Sequence, residues 1–480
     1  MGPLNFFHNW PALGLAIMAA TLAAAHALLS KRDPRAAWGW IAVCLMFPLA
    51  GALLYLLFGI NRVQTRGGKL QKRSPFDLHD RLALTDIGAS PSCPPIPHEF
   101  AIQARASYAV TGRPLVGGNS IDILHNGEQA YPAMLEAIDQ AAQSINLTTY
   151  IFETNQTGRA FIDALARATR RGVDVRVIVD GVGQLSQLPL ASWLLHKNGV
   201  PCARFLPPSL LPPSLTINLR THHKLLVVDS AIGFAGGMNI GDMHLALDTA
   251  NPKRAADIHF RFQGPVVAQM EEVFLWDWGF VTDSETAPPE VQPTGSHGDS
   301  ICRTMVDGPN EDLDKLPIIL EAAVASARER IWIMTPYFLP PQPLTSALSG
   351  AALRGVEVNV VLPLKSDQRV VDFATQNMLW ELLHSGVRVF KQPPPFAHTK
   401  LFLVDRHYAL VGSANLDPRS LRLNFEFTVE VYDTKLNAAL VEHCAQARDR
   451  SVEISVEDVE NRPLAIRLRD SFCWLFSPYL

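Results

Sequence analysis

Cysteine is scarce in this chain of 480 residues: there are six (Cys44, Cys93, Cys202, Cys302, Cys444 and Cys473), scattered and without a C-x-x-C pair. That scarcity argues against a disulfide framework and a cysteine-ligated zinc site, and the thiols are expected to be buried or incidental. Charge is also thin, at 18% Asp, Glu, Lys and Arg against roughly 25% in soluble domains. A basic excess is missing as well: net charge is -4 and pI about 6.4, which speaks against a general nucleic-acid binder. With 48% hydrophobic residues and a mean hydropathy of +0.09, the chain is too apolar to be disordered. It is too polar to lie mostly in a membrane.

The missing charge has an address. No Asp, Glu, Lys or Arg occurs from Trp10 to Leu29, nor from Ala36 to Ile60. Each run meets the ~20 residues needed to cross a ~30 Å hydrocarbon core, and Lys31-Arg32-Asp33-Pro34-Arg35 between them allows only a tight hairpin. Trp10, Trp38, Trp40 and Tyr55 sit towards the ends, where amphipathic rings settle at an interface. A cleaved signal peptide is disfavoured because MGPLNFFHNW lacks a basic n-region. Five basic residues follow the second run (Arg62, Arg66, Lys69, Lys72, Arg73), so the positive-inside rule places the remaining chain in the cytoplasm. The stretch 31–73 carries about +7, which leaves about -11 for 74–480.

Beyond residue 115 the chain is written twice. Ile145–Phe152 and Ile331–Phe338 read as buried strands, each leading into a helical run (Gly158 to Arg171, Leu344 to Arg354) that ends at Gly172 or Gly355. Strands 173–180 and 356–362 follow, then a helix and strand over Trp193 to Phe205 and Met378 to Phe390. Alternating strands and helices indicate an α/β architecture with largely parallel pairing. Offsets of 176 to 187 residues are too long for a solenoid, so two fused lobes are expected.

Each copy closes on the same pattern. His222-x-Lys224-x4-Asp229 is matched by His398-x-Lys400-x4-Asp405, and Gly236-Gly237-Met-Asn239 by Gly412-Ser413-Ala-Asn415. The apolar residues between Lys and Asp mark a buried strand, and strand alternation puts His and Lys on one face and His223 on the other. One such motif is unremarkable on a strand end; two at matching places in a repeat are not. Lys224 and Lys400 suit the oxygens of a phosphodiester, and the amides of Asn239 and Asn415 add hydrogen bonds. A histidine serves as a covalent nucleophile and also titrates near neutrality, so one can attack while the other handles the proton. Nothing here calls for a metal or cofactor.

These twin motifs resemble the signature of the phospholipase D superfamily, H-x-K-x4-D-x6-G-[GS]-x-N, position for position. Phe47-Pro-Leu-Ala-Gly51, Tyr55-Leu-Leu-Phe-Gly59, Tyr150-Ile-Phe152 and Gly236-Gly-Met-Asn-Ile-Gly-Asp242 are similar to bacterial cardiolipin synthases. Met243-His244 departs from the family, whose members often carry an acidic residue and an aromatic there. The resemblance implies two fused phospholipase D-like lobes, pseudo-twofold duplicated sheets flanked by helices, after an N-terminal two-helix transmembrane hairpin. It implies catalytic His222, Lys224, Asp229, His398, Lys400 and Asp405, supported by Asn239, Asn415, Ser413, Asp257 and Glu426. By analogy His222 is the nucleophile and His398 the general acid/base, although the residues themselves leave that symmetry open. Asp257 and Glu426, each following its motif, are expected to orient the imidazoles. Asp229 and Asp405 are read as ending the strand and tying down the turn towards the glycines.

The activity so implied joins two phosphatidylglycerol molecules into cardiolipin and glycerol through a phosphohistidine, in a bacterial inner membrane with anionic phospholipids as partners. The alternative is a membrane-anchored phospholipase D giving phosphatidic acid. A tethered nuclease shares the motif, but the acidic balance of 74–480 makes nucleic acid an unattractive partner. A lipid-binding scaffold is disfavoured because both motifs are complete. Expected boundaries are 1–62 (anchor), 63–115 (basic collar), 116–282 (first lobe), 283–300 (linker), 301–456 (second lobe) and 457–480 (tail). Oligomeric state is not legible. The tail, with Arg467, Arg469, Phe472, Trp474 and Phe476, is read either as a bilayer-surface segment or as a helix packed on the lobes.

Overall fold

A computed structural model describes residues 10–31, 34–59, 96–210, 213–214, 219–283, 295–308, 315–477 and 480. Residues 63–95 of the expected basic collar lie outside the described residues, as does 284–294 of the expected linker, and the rest of the expected collar carries a helix over Ala101–Thr111. The chain divides into two compact units, 1–69 and 70–480, and each is described by itself.

In the first unit, α1 (Trp10–Ser30) is 21 residues without a charge, about 32 Å at 1.5 Å per residue. It is long and apolar enough to cross a membrane. The second apolar run departs from the single span expected of it. It forms α2 (Pro34–Met46), α3 (Pro48–Leu54) and a π-helical turn over Tyr55–Gly59. Proline lacks the N–H that would continue the ladder, and its ring clashes with the preceding turn; Phe47 accordingly leaves helical geometry at φ -128° and ψ 73°. The chain folds back so tightly that a Cβ on Gly51 would lie 2.2 Å from the Val43 carbonyl oxygen. At 13 residues α2 covers about 20 Å, short of a ~30 Å core. Ala24, Ala27, Cys44 and Tyr55 pack the pieces together, and the Tyr55 hydroxyl meets His26 Nδ1 at 2.7 Å.

The second unit is built on one sheet of 15 strands. Its N-terminal half supplies β1 (Val116–His125), β2 (Ser144–Thr149), β3 (Asp174–Asp180), β4 (Cys202–Phe205), β5 (Leu225–Val228), β6 (Ile232–Gly236) and β7 (Ile258–Gln263). Its C-terminal half supplies β8 (Ser300–Asp307), β9 (Arg330–Met334), β10 (Glu357–Pro363), β11 (Arg388–Gln392), β12 (Leu401–Val404), β13 (Tyr408–Gly412), β14 (Glu426–Tyr432) and β15 (Val452–Ile454). The order across the sheet is β15-β11-β10-β9-β12-β13-β14-β8-β1-β7-β6-β5-β2-β3-β4. Read outward from the β8/β1 seam, both halves give the same sequence of strands, and β15 is the addition at one edge. Parallel β2-β3-β4 and β9-β10-β11 join antiparallel β5, β6 and β7 or β12, β13 and β14.

Helices cover both faces: α4 (Ala101–Thr111), α5 (Asn126–Gln140), α6 (Gln156–Arg170), α7 (Ala191–Lys197), α8 (Val266–Thr282), α9 (Lys315–Ser326), α10 (Gln342–Leu353), α11 (Arg369–His384), α12 (Pro418–Arg422) and α13 (Thr434–Asp449). Side chains alternate as strands require. Leu225 and Val227 of β5 join Leu401 and Leu403 of β12 in one core under α8 and α13 that runs across both halves. Leu226 and Val228 face a separate core under α5 and α6, while Phe402 and Val404 face another under α9 and α10. Each such fully buried side chain contributes about 1.5–3 kcal/mol, which is why the x4 of each motif is purely aliphatic or aromatic. The tail folds as α14 (Val456–Glu460) and α15 (Leu464–Trp474). Arg469 of α15 lies 3.6 Å over the Phe373 ring of α11, while Leu464, Leu468, Phe472 and Leu475 stay exposed.

A buried ion pair spans β8 and β14. Arg303 holds Glu430 at 2.8 Å, and its guanidinium also donates to the Ala104 carbonyl of α4 at 3.0 Å. Ser107 of α4 and Tyr432 donate to the other Glu430 oxygen at 2.9 and 3.0 Å. Replacing Arg303 with Met strands a buried carboxylate, so we expect a loss of about 3–5 kcal/mol. Scanning calorimetry checks this through a fall in Tm; an unchanged Tm would contradict it.

Candidate active site

Both motifs reach the same place by the same route. β5 and β12 are buried on both sides, and the residues preceding them leave the sheet to form the site. There each segment is bonded to the opposite half. The His222 amide donates to the Phe425 carbonyl at 2.8 Å, and Phe425 N–H donates to Arg220 O at 2.9 Å. The His398 amide donates to Ala256 O at 2.8 Å, while Phe396–Ala397 pairs with Ala255–Ala256.

The carboxylates therefore cross over. His222 Nδ1 donates to Glu426 Oε2 at 2.9 Å, and His398 Nδ1 donates to Asp257 Oδ2 at 2.7 Å. Each imidazole is held by an acid from the other half of the chain, where the sequence offered only an acid following each motif. Bonding Nδ1–H to a carboxylate fixes the tautomer and leaves Nε2 as the reactive nitrogen. Burial, the Lys224 and Lys400 charges and then Arg419 depress the His222 pKa well below its usual range. Burial and the same two lysines depress His398. Both shifts favour the neutral ring.

The lysines are buried with them. Lys224 Nζ donates to His222 O at 2.9 Å and Lys400 Nζ to His398 O at 2.6 Å. Lys400 Nζ also lies 3.2 Å from both ring nitrogens of His398. Burial brings Lys224 down to about 7, with the Lys400 charge lowering it further, and brings Lys400 down to about 8, while the Asp257 and Glu426 carboxylates oppose both shifts. Burial raises Glu426 to about 7 and raises Asp257 as well. The cluster couples two buried cations to two buried anions, an arrangement whose balance an arriving phosphodiester shifts.

The supporting residues fall around this core. Ser413 Oγ donates to Glu426 Oε2 and accepts Phe427 N–H at 3.0 Å. At the matching place Gly237 has no room for a side chain, since a Cβ would lie 2.5 Å from Asp257 Oδ2. Asn239 Oδ1 accepts Ile151 N–H at 3.2 Å. The buried Asn415 Oδ1 has no partner among the described residues. The Tyr150 ring packs edge-on to His222 with centroids 5.4 Å apart and lies under Lys224.

Asp229 and Asp405 are not brought to the histidines. They sit at the far ends of β5 and β12, in left-handed conformations with φ 52° and 50°. Asp229 accepts the backbone amides of Ala142, Gln143 and Ser144 at 2.7–2.8 Å. Asp405 likewise accepts those of Arg328, Glu329 and Arg330. Each motif aspartate thus pins the entry to β2 or β9, not the turn towards the glycines. Each therefore stands apart from the chemistry its motif suggested.

Two features were not legible. His223, turned away from the site, donates to Asp277 of α8 at 2.7 Å; no spacing in the sequence marks Asp277. His244, noted only as a departure, is fully buried beside His398, with ring centroids 5.5 Å apart. Its Nε2 accepts the Asn239 amide at 3.2 Å, so a neutral ring carries its proton on Nδ1, which is buried without a partner among the described residues. Ring nitrogens of His244 and His398 and an Asp257 oxygen lie within 4.8 Å of one another. The Lys400 ammonium at the His398 ring opposes a dication there, and within the trio the hydrogen bond is the one from His398 to Asp257.

Fold and site define a phospholipase D-like enzyme of two half-sites. A family described as "Cardiolipin synthase, PLD-like domain" matches residues 134–278 and 320–448, and a phospholipase D-nuclease N-terminal family matches 18–59. The cardiolipin synthase of Geobacillus kaustophilus is 31% identical over 460 residues, covering 94% of this chain and 90% of the relative. Cardiolipin synthase A of Pseudomonas putida is 32% identical over 480 residues, covering 98% and 97%. The crystal structure of phosphatidylserine synthase from Haemophilus influenzae shares the fold, with a TM-score of 0.62 at 16% identity, over 79% of this chain and all of that one. The chain belongs to the cardiolipin synthase family of the phospholipase D superfamily, and it is a phosphatidyltransferase.

Two outcomes follow from this geometry. Asp229→Ala should lower Tm, by the equivalent of about 1–3 kcal/mol for each amide left unsatisfied, while kcat of the folded protein stays within a few-fold; a loss of 100-fold or more with Tm unchanged would place Asp229 in the chemistry. The lysines must be protonated to hold phosphate, so kcat/KM should decline as pH rises through about 7–8. Bound phosphate favours the ammonium form, so the alkaline limb of kcat should lie at higher pH than that of kcat/KM. Coincident limbs would contradict the assignment.

Proposed function

We propose that this enzyme makes cardiolipin by transferring a phosphatidyl group from one phosphatidylglycerol to a second, releasing glycerol. The observation that carries the reading is the crossed pair of His–carboxylate contacts around two buried lysines. That pair supplies two reactive Nε2 atoms and two cations for one phosphate.

In the first step His222 Nε2 attacks phosphorus and the bond to the glycerol oxygen breaks. His398, protonated on Nε2, gives that proton to the departing oxygen. The anionic phosphodiester and the Asp257 carboxylate favour this imidazolium once substrate is bound. In the second step the now neutral His398 takes the proton from a glycerol hydroxyl of the second lipid, whose oxygen displaces His222. Splitting the displacement in two holds the phosphatidyl group while the acceptor arrives. Lys224, Lys400, Asn239 and Asn415 face the phosphate oxygens, with Ser413 steadying Glu426.

The proposal includes two fused, duplicated lobes, supported by the matching strand orders and the two matched spans. It also includes a membrane-embedded N-terminus formed by α1 with the broken second run, cytoplasmic lobes and anionic phospholipid partners. The exposed apolar face of α15 suits contact with a bilayer surface. Hydrolysis to phosphatidic acid is not favoured, since full-length relatives are synthases.

Replacing His222 or His398 with Ala should reduce cardiolipin formation by at least about 10³-fold with Tm retained. Product analysis of the purified full-length protein with phosphatidylglycerol is the check. Phosphatidic acid as the dominant product, without cardiolipin, would overturn the synthase reading.

A further inference from the structure

A phosphatidyltransferase acts on molecules confined to a bilayer, so the surface around its site has to meet lipid. The site opens where His222 and His398 keep 12% and 9% of their side chains exposed. A half-buried tyrosine from each half borders that opening, Tyr150 after β2 and Tyr337 after β9. Tyr150 packs on His222 at 5.4 Å. Tyr337 reaches His398 through the Phe396 ring, with centroids 6.4 and 5.9 Å apart.

Each tyrosine is flanked by exposed apolar residues. In the first half the flank is the loop after β3. Asp180 accepts the amides of Val182 and Gly183 at 2.8 Å, and that of Thr221, next to His222, at 3.1 Å. A Cβ on Gly183 would lie 2.0 Å from the Tyr150 carbonyl oxygen. Thr154 fixes the rest of the loop, its N–H donating to Gln187 Oε1 at 2.8 Å and its hydroxyl to Pro189 O at 3.0 Å. Leu185, Leu188 and Trp193 nevertheless stay exposed, Leu188 at 78%.

In the second half α11 and α15 form the flank. The Tyr337 hydroxyl donates to Asp367 at 2.8 Å, and Thr375 of α11 donates to Phe338 O at 2.8 Å. The tail is held on α11 by Arg462, which donates to Gln376 O at 3.0 Å, and by Ser471, which donates to Asn377 at 2.9 Å. Asp470 is buried on that side and pairs with Arg462 and Arg469. Leu464, Leu468, Phe472 and Leu475, at intervals of four, four and three residues, share the opposite face and are exposed.

Charge indicates what covers these flanks. Although 74–480 is acidic overall, 181–200 has one lysine and no acid, and 462–480 has three arginines against the buried Asp470. The Lys197 ammonium lies 5.1 Å over the exposed Trp193 ring. Apolar residues with basic neighbours suit the boundary of an anionic bilayer. A second copy of the chain docked on the same face would instead oppose like charges. We infer that the 183–193 loop and the exposed face of α15 form one membrane-docking surface, which seats the catalytic unit on an anionic bilayer with the two histidines between its flanks. The inference rests on the transferase reading above and extends it from α15 alone to both halves. It also gives the lipid a route: the headgroup rises between the flanks to the histidines while the acyl chains stay in the bilayer.

The test compares lipid in a bilayer with lipid that needs no docking. In the full-length enzyme, Leu185→Ser with Leu188→Ser, and separately Phe472→Ser with Leu475→Ser, should each slow cardiolipin formation on vesicles of long-chain phosphatidylglycerol about 10-fold or more. Turnover of monomeric dihexanoyl-phosphatidylglycerol by the same detergent-solubilised variants should stay within about threefold of wild type, with Tm retained. Amide hydrogen exchange supplies a readout independent of turnover: over 183–193 and 464–476 it should be slower in phosphatidylglycerol nanodiscs than in phosphatidylcholine nanodiscs. Equal losses on both substrates, no loss on vesicles, or exchange that ignores the lipid would overturn the docking surface. So would variants that change the oligomeric state in mass photometry without selectivity for vesicles, which would mark the face as a contact between copies. A wild-type enzyme that makes no cardiolipin from either substrate would instead overturn the transferase reading, and the exchange measurement would still judge the docking.

Discussion

Two imidazoles are each held by a carboxylate from the opposite half of the chain, and the remainder of the site follows from that exchange. The crossing requires the segments before β5 and β12 to leave their own half and bond to the strand entries at Phe425 and Ala256. It requires the two halves to share a sheet, because a loose interface would not hold 2.7–2.9 Å contacts. It also buries two lysines and two carboxylates together, which brings the titrations of Lys224, Lys400 and Glu426 close to neutrality and raises that of Asp257. A half-site on its own would have an imidazole without its orienting acid.

Rigidity is supplied from the far end of each motif. The motif aspartates have the right spacing for chemistry but the wrong address: about seven residues of extended chain, on the order of 20 Å, separate them from their histidines. What they fix is the entry to β2 and β9, and hence the register of the antiparallel neighbour on which β5 and β12 lie. The H-x-K-x4-D pattern therefore joins two demands, a reactive group at one end of a buried strand and an anchor for the sheet at the other. The apolar x4 between them is a packing requirement on both faces.

Much of this was legible in the residues. The repeat, the alternation of strands and helices, the buried strand inside each motif and the opposite facing of His223 follow from period and composition. The identities of Asp257 and Glu426 came from resemblance. Their crossing could not be read, since nothing local tells an acid which half it will face. Asp277 and Glu430 are likewise partners set by tertiary packing. The second apolar run shows another limit: hydropathy sees 25 uncharged residues, while one proline at position 48 and the close approach at Gly51 decide that they do not form one helix. The His244 departure was visible, but only the structure gives it a tautomer and a neighbour.

The account stands or falls on the covalent step and on its dependence on the opposite half. Rapid quenching of the enzyme with phosphorus-labelled phosphatidylglycerol, followed by peptide mapping, reads both at once. Acid-labile label should appear on His222, and Glu426→Gln should slow its appearance by about 10²-fold or more. Absence of labelled histidine, or labelling of the Glu426→Gln variant at the wild-type rate, would contradict the mechanism.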